Sequence, residues 1–397
     1  MASDASDDVA ATIRWILTEG RSFGSISRFV GALCLRLIAG GVPLWRVTIY
    51  AATLHPQIRG FGWRWWRNRR VTEEVRVPRG VELTDDYLQS PMRGVIETGT
   101  PLRRRLDAVD RDYPLLAELA AEGGTDYLAV PLNRIGERFP VAAWATDRPG
   151  GFAPDHLARL EEIRPALAAV IETAVIRRTA RTLFSIYHGR HVGERIFEGQ
   201  IVRGGVDLLR AVIMATDLRG FTGISDRLPG EDVVRALDEY FEHVALSVHA
   251  EGGHILKFIG DGVLAIFGAE ESEDRAAAAA GLAAARAIIA RLETHNAAPG
   301  KSRVPLRAGI GLHLGTVMYG NVGAHDRLDF TVIGPAVNLA FRLEDLTKAL
   351  GRPVLASRGF ADAAGVALTS LGRHAIRGLS EYEEVFGLPE HDAAAAQ

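Results

Sequence analysis

Two aspartates stand where apolar runs end in the second half of this 397-residue chain. Asp217 closes AVIMATD and is followed by LRGFTG, while Asp261 lies between Gly260 and Gly262 in HILKFIGDGVLAIFG. Each apolar run reads as a strand and each glycine-containing segment after it as a turn, which lifts a carboxylate clear of the sheet. Such a pair can share two divalent cations whose remaining positions stay open to water and phosphate. That is the chemistry of nucleotides rather than of a closed structural metal site. The turn after Asp217 also leads into a predicted helix, and backbone N–H groups at such a start attract phosphate. Asp-Gly is an ordinary hairpin turn as well, so the argument rests on the matched pair and not on GDG alone.

Three further side chains could act with that pair. Lys257 is one of only three lysines, with Lys301 and Lys348, among 46 Lys and Arg residues. In an apolar strand it is either an ammonium aimed at a ring nitrogen, where a guanidinium would be too wide, or a stem snorkelling from a sheet edge. In DFTVIGPAVNLAFRLE, Asn338 and Arg342 are four apart on a predicted helix and share one face. An amide and a cationic fork there could stabilise charge developing on phosphorus. Helix-face polarity is the alternative, and the apolar neighbours of Arg342 favour chemistry.

The elements that must carry these residues alternate. LLRAVIMATD reads as a strand, GEDVVRALDEYFEHVALSVHAEGG as a helix, HILKFIGDGVLAIFG as two strands around a turn, and EDRAAAAAGLAAARAIIARLETHN as a helix. LRAGIGLHLGTVMYGNV and RLDFTVIG read as strands, AVNLAFRLEDLTKAL as a helix, and AIRGLSEYEEVFGL as a last hairpin. This order implies an α+β domain with a βαββαβ kernel and helices on one face of its sheet. Upstream, residues 9–40 carry helical periodicity and RVTIYAATLHP (46–56) is β-rich. TDYLAVPLN (125–133) and FPVAAWATD (139–147) predict antiparallel strands joined by a turn at Gly136. After PGG (149–151), residues 152–183 predict one long helix, which makes the first half a small α/β module. Residues 177–204 read either as a solvated linker or as a helical segment pairing two chains, because Leu183, Ile186 and Tyr187 need burial.

Composition bounds the function. With 47% hydrophobic and 24% charged residues and a net charge of −3, the chain is of ordinary globular type, and its charge argues against a dominant nucleic-acid surface. Its single cysteine, Cys34, permits no intramolecular disulfide and suits a small buried role in a reducing cytoplasm. The acidic start MASDASDD is unlike a secretory signal. No uncharged apolar run reaches membrane-spanning length; 29–44 is interrupted by Arg36 and fits a core-facing helix. Trp63, Trp65 and Trp66 among Arg64, Arg67, Arg69 and Arg70 suggest either nucleic-acid stacking or membrane contact, or else a loop or strand packing its tryptophans onto the core, and the last is preferred.

DLRGFT, KFIGDGVLAIFG, HLGTVMYGNVG and FTVIGPAVNLAFRLE together resemble the class III nucleotidyl cyclases, in order and spacing through about 207–388. GRHVGERIFEGQIVRGG is similar to the segment preceding that domain in bacterial members. FPVAAWATDRPGGFAPDHLARLEEI more loosely resembles a GAF-type ligand-binding domain. The resemblance implies a GAF-like sensor domain (1–176), a helical signalling linker (177–204), a ferredoxin-like cyclase domain (205–390) and a disordered tail (391–397). It further implies a homodimer with two shared sites, regulated by the first domain and its small-molecule ligand.

In each site Asp217 and Asp261, with the Leu218 carbonyl, would hold two Mg²⁺ or Mn²⁺ ions, and the Gly220, Phe221 and Thr222 backbone would cradle phosphates. From the partner, Lys257 and Thr331 would read adenine, Asn338 would orient the ribose and Arg342 would stabilise the transition state. Arg377 would meet the triphosphate, with Arg327 as a second candidate for that role. The implied reaction is cyclisation of ATP to 3′,5′-cyclic AMP and pyrophosphate. Guanine recognition in this family generally uses glutamate and cysteine where Lys257 and Thr331 stand, so adenylate cyclase is preferred to guanylate cyclase. Pro335 and Phe341 depart from the common bacterial pattern, which leaves a catalytically silent regulatory protein as the rival.

Overall fold

The computed structural model describes residues 2–69, 71–107, 113–135, 138–269, 273–298, 304–377 and 382–389. The chain divides into two compact units, Met1–Leu183 and Phe184–Gln397.

The first unit runs α1 (Ala2–Leu17), α2 (Ile26–Ala39), β1 (Arg46–Ala52), β2 (Ile58–Trp66), β3 (Thr72–Pro78), α3 (Asp85–Leu88), α4 (Pro91–Thr98), β4 (Leu102–Arg105), α5 (Pro114–Ala121), β5 (Asp126–Pro131) and β6 (Val141–Thr146), and its last helix is α6 (Pro154–His188). Its strands form one antiparallel sheet in the order β3-β2-β1-β6-β5-β4. Strand alternation sends Val47, Ile49, Trp63, Trp65 and Trp144 to a core beneath α1, α2 and α6. The opposite parity, including Tyr50, Tyr127, Ala143 and Ala145, faces α4 and α5. Trp63 and Trp65 are wholly buried, the inward packing preferred from the sequence, and the Trp63 indole N–H donates to Glu74 at 3.0 Å. Arg36 does not interrupt α2, whose buried stripe contains Phe29, Val30, Leu33, Cys34 and Leu37. The PGG turn closes on Asp126, which is buried, paired with Arg103 at 2.7 Å and accepting from the Phe152 N–H at 3.0 Å. The turn expected at Gly136 lies outside the described residues.

The second unit runs α7 (Arg190–Phe197), β7 (Val206–Leu218), α8 (Phe221–Ser225), α9 (Gly230–Ala250), β8 (His254–Ile259), β9 (Gly262–Ala269), α10 (Asp274–Ala297), β10 (Ala308–Gly323), β11 (Leu328–Ile333), α11 (Pro335–Leu350), β12 (Val354–Ser357), α12 (Arg358–Ala364), β13 (Thr369–His374) and β14 (Glu383–Gly387). The sheet order is β13-β14-β12-β10-β7-β9-β8, with β11 added to β10. Within it the four strands of the β-α-β-β-α-β run lie in the order β10-β7-β9-β8, each antiparallel to its neighbour. The two helices of that run, α9 and α10, share one face with α12.

The other face is not bare, contrary to the expectation of helices on one side. α7 and α11 cover it, which is why Ala211 through Thr216 of β7 are buried at both parities. α11 sits close because its floor on β10 is glycine: a Cβ at Gly311 would overlap the Ala340 carbonyl oxygen, and one at Gly315 would stand 2.8 Å from the Ala336 Cβ. Pro335 occupies the first turn of α11, where its missing N–H costs no helical bond.

The last hairpin also differs from expectation. Its first strand is β13, upstream of AIRG, so Arg377 belongs to the connection and not to a strand. The polar sequence TSLGRH, with a register shift between Ser370 and Arg373, carries too little apolar alternation to be read as a strand by eye. The tail 391–397 lies outside the described residues. No helix among them is long and apolar enough to cross a membrane.

Candidate active site

β7 ends at Leu218 and β9 begins at Gly262, and the antiparallel register sets Asp217 opposite Gly262. Asp261, in the turn just before Gly262, therefore lies beside the end of β7, and the Leu218 N–H donates to the Asp261 carbonyl at 3.3 Å. Gly262 makes the approach possible, since a Cβ there would stand 2.9 Å from the Thr216 carbonyl oxygen. Behind the pair, the buried hydroxyls of Thr216 and Tyr240 meet at 2.8 Å and tie β7 to α9. The pKa of Asp261 is raised by burial and then by the charge of Asp217. Two carboxylates held this close repel one another, which fits a pair that takes cations.

One cation of the chain already reaches in. Lys348 of α11 donates to Asp217 Oδ2 at 3.0 Å, and this bond raises its own pKa. Beneath it lie Arg219, Glu344 and Thr347. Arg219 donates to the Thr347 hydroxyl, and a Cβ at Gly309 would stand 2.5 Å from Glu344 Oε1. Glu344 is buried, and desolvation followed by the charge of Asp217 pushes its pKa up to about 7. Sequence reading missed all four of these residues. The available signal was spacing: Glu344 and Lys348 are four apart on α11 and share a face, and Lys348 is one of three lysines.

The turn at 218–222 has Gly220 in the left-handed region at φ 74°, in front of the short helix α8. Phe221 is half-buried and Thr222 exposed. Lys257 lies on β8 and donates to Asp329 of β11. Thr331 is buried two residues further along β11, on the strand face that also carries Asp329. Asp329 is a further residue the sequence reading passed over. Arg327 is exposed in the connection before β11 and lines the same cavity as Lys257, Phe258 and Asp329. Asn338 is exposed and Arg342 half-buried, one turn apart on α11, and Arg377 is exposed beyond β13.

The expected residues thus form separate groups within one chain: Asp217 with Asp261, and Lys257 with the Asp329–Thr331 strand. No hydrogen bond or ion pair among the described residues joins Asn338 or Arg342 to either aspartate. Nor do the described residues contain a cluster of three or more metal-ligating side chains, so the carboxylate pair stands as a pair.

Residues 209–358 match the adenylate and guanylate cyclase catalytic domain. An uncharacterized protein of Mycobacterium tuberculosis is 39% identical over 198 residues, 50% of this chain and 35% of its own length. Adenylate cyclase 1 of Rhizobium meliloti is 42% identical over 145 residues, 36% of this chain and 22% of its own length. The chain therefore spans about a third or less of these curated relatives. A solved structure of a bacterial light-regulated adenylyl cyclase is 32% identical and covers 46% of this chain and 92% of its own, with a TM-score of 0.40.

Proposed function

The second unit carries a class III adenylate and guanylate cyclase catalytic domain over residues 209–358, and from that premise we propose that the protein is an adenylate cyclase working as a homodimer under control of its first unit. The observation that carries this reading is the convergence of Asp217, near the end of β7, and Asp261, in the β8–β9 turn, with Asp261 raised in pKa by burial and by its neighbour's charge. The two carboxylates and the Leu218 carbonyl would hold two Mg²⁺ or Mn²⁺ ions, which supply activation of the ribose 3′-hydroxyl and neutralisation of the triphosphate. The remaining work falls to side chains. Lys257 donates to adenine N1 and the Thr331 hydroxyl accepts from N6. Asn338 orients the ribose, and Arg342 stabilises charge on the α-phosphoryl group as pyrophosphate leaves. Backbone N–H groups of Gly220–Thr222 and the cations Arg377 and Arg327 bind the triphosphate.

Two copies are required in this reading because the metal-binding and base-reading groups do not meet in one chain. Exposed apolar side chains support it: Phe258 and Ile259 on β8, Leu328 and Ile333 on β11, and Ile186 and Tyr187 at the end of α6. Burial of Ile186 and Tyr187, expected from the sequence, would then come from a partner chain. An antiparallel sheet between two helical layers, with α6 leading onward, supports a GAF-like sensor feeding a signalling linker.

The test is product identification by mass after incubating the full chain with ATP or GTP and Mg²⁺ or Mn²⁺. Cyclic AMP from ATP is expected. Asp261→Asn should lower the rate at least about a hundredfold while the dimer stays folded, and normal activity in that variant would sink the two-carboxylate assignment.

A further inference from the structure

The sheet face under α4 and α5 holds a cavity of about 340 Å³ whose floor follows from strand register. Tyr127 of β5, Ala145 of β6 and Arg46 of β1 form one row across the sheet. Ala143, Thr48 and Arg64 form the next. Arg46 and Arg64 are thus diagonal neighbours on one face, and the two alanines leave open space between them and the Tyr127 ring. Met92 of α4 and Leu115 and Leu119 of α5 supply an apolar roof. Asp86 and Glu118 also line the cavity, as exposed residues at its rim.

Three groups in this cavity lack partners. Arg46 and Arg64 are both half-buried, and among the described residues no carboxylate lies within 4.0 Å of either guanidinium. The Arg46 side chain has instead the Trp66 ring, 5.5 Å away. Tyr127 is 3% exposed, and its hydroxyl has no hydrogen-bond partner among the described residues. A buried hydroxyl without a partner and two adjacent, half-buried cations that no carboxylate contacts, with Glu118 and Glu122 acting on Arg46 only from a distance, are each costly. Burial, and then the charge of Arg64, holds the pKa of Arg46 below its ordinary value. An oxyanion would relieve both costs, because guanidinium forks match carboxylate and phosphate geometry. The volume lies at the lower end of the range for small-molecule sites, and the mixed lining suits a compact organic body with one charged end.

We propose that this cavity binds a small organic anion, with its carboxylate or phosphate oxygens on Arg46 and Arg64 and a neutral oxygen accepting from the Tyr127 hydroxyl. The proposal rests on the reading of the first unit as a ligand-binding sensor, and it gives that ligand a charge and three anchoring residues.

All six tryptophans of the chain lie between Trp15 and Trp144, so tryptophan fluorescence of the full-length protein reports melting of the first unit alone. Melting would be followed with benzoate, inorganic phosphate and the neutral isostere benzamide, each at ionic strength matched with chloride. Benzoate or phosphate should raise the transition by about 3–5 °C at ten times its Kd, and benzamide should not. The double variant R46Q/R64Q should lose the shift. Arg64→Gln alone should leave the unliganded transition unchanged or higher, since it removes like-charge repulsion. Tyr127→Phe keeps shape and fold and should weaken binding of 4-hydroxybenzoate, whose phenol oxygen can accept from Tyr127, several-fold while leaving benzoate binding nearly unchanged, which tests the site even if the double variant fails to fold.

No shift with either anion, or a shift that survives in R46Q/R64Q, overturns the proposal. An equal shift with benzamide overturns the anion assignment and leaves the sensor reading standing. Anion binding that never alters the rate of cyclic AMP formation leaves the site intact and removes the sensor reading.

Discussion

Base choice turns on single residues. With Lys257 and Thr331 reading the adenine edge, Lys257→Glu with Thr331→Cys should move the ATP/GTP preference towards GTP by about tenfold or more, because a site left with mismatched buried polar groups rejects the old base. An unchanged ratio of cyclic products would remove both residues from recognition. Glu344 makes a separate prediction about pH. Its pKa rises from 4.5 to about 7 on folding, so the folded protein holds a proton that the unfolded chain has released. Stability from this group is therefore complete below pH about 4.5 and is lost as pH rises through about 7. The urea midpoint of the metal-free protein should fall between pH 5 and pH 8, and Glu344→Gln should flatten that fall; an equal slope in the variant would refute the assignment.

Element packing explains what was legible in the sequence. β7 to α10 could be read directly because apolar alternation, glycine turns and helical periodicity all change at the same places. The α11 helix was legible as a helix, but its face on the sheet was not. That placement depends on Gly309, Gly311 and Gly315 of β10, whose bare backbone admits the helix, and a glycine inside a strand pattern does not announce what approaches it. The same limit hid the Lys348–Asp217 contact, made between positions far apart in the chain. Gly311→Ala should cost about 3 kcal/mol or more in urea unfolding of the second unit, by driving a Cβ into the α11 backbone. Gly220→Ala meets open space, and its positive φ should cost only about 1–2 kcal/mol. Comparable losses from the two would argue against tight seating of α11.

At the scale of the whole molecule, the shared site makes a quantitative prediction. Asp261→Asn and Arg342→Ala chains, each inactive alone, should recover about a quarter of wild-type activity when mixed and allowed to exchange: half the dimers are mixed, and each mixed dimer retains one intact site. No recovery would mean that each chain carries its own complete site. The buried Cys34 has a practical consequence for following such dimers. It is the only cysteine in 397 residues, it is wholly enclosed, and desolvation holds its thiol far from ionisation. A thiol reagent accordingly meets no reactive sulfur until the first unit opens. Its labelling rate on the native chain is a clock for that opening, and Val366→Cys, at an exposed position away from the proposed partner contact, would carry a fluorophore or spin label against a silent background.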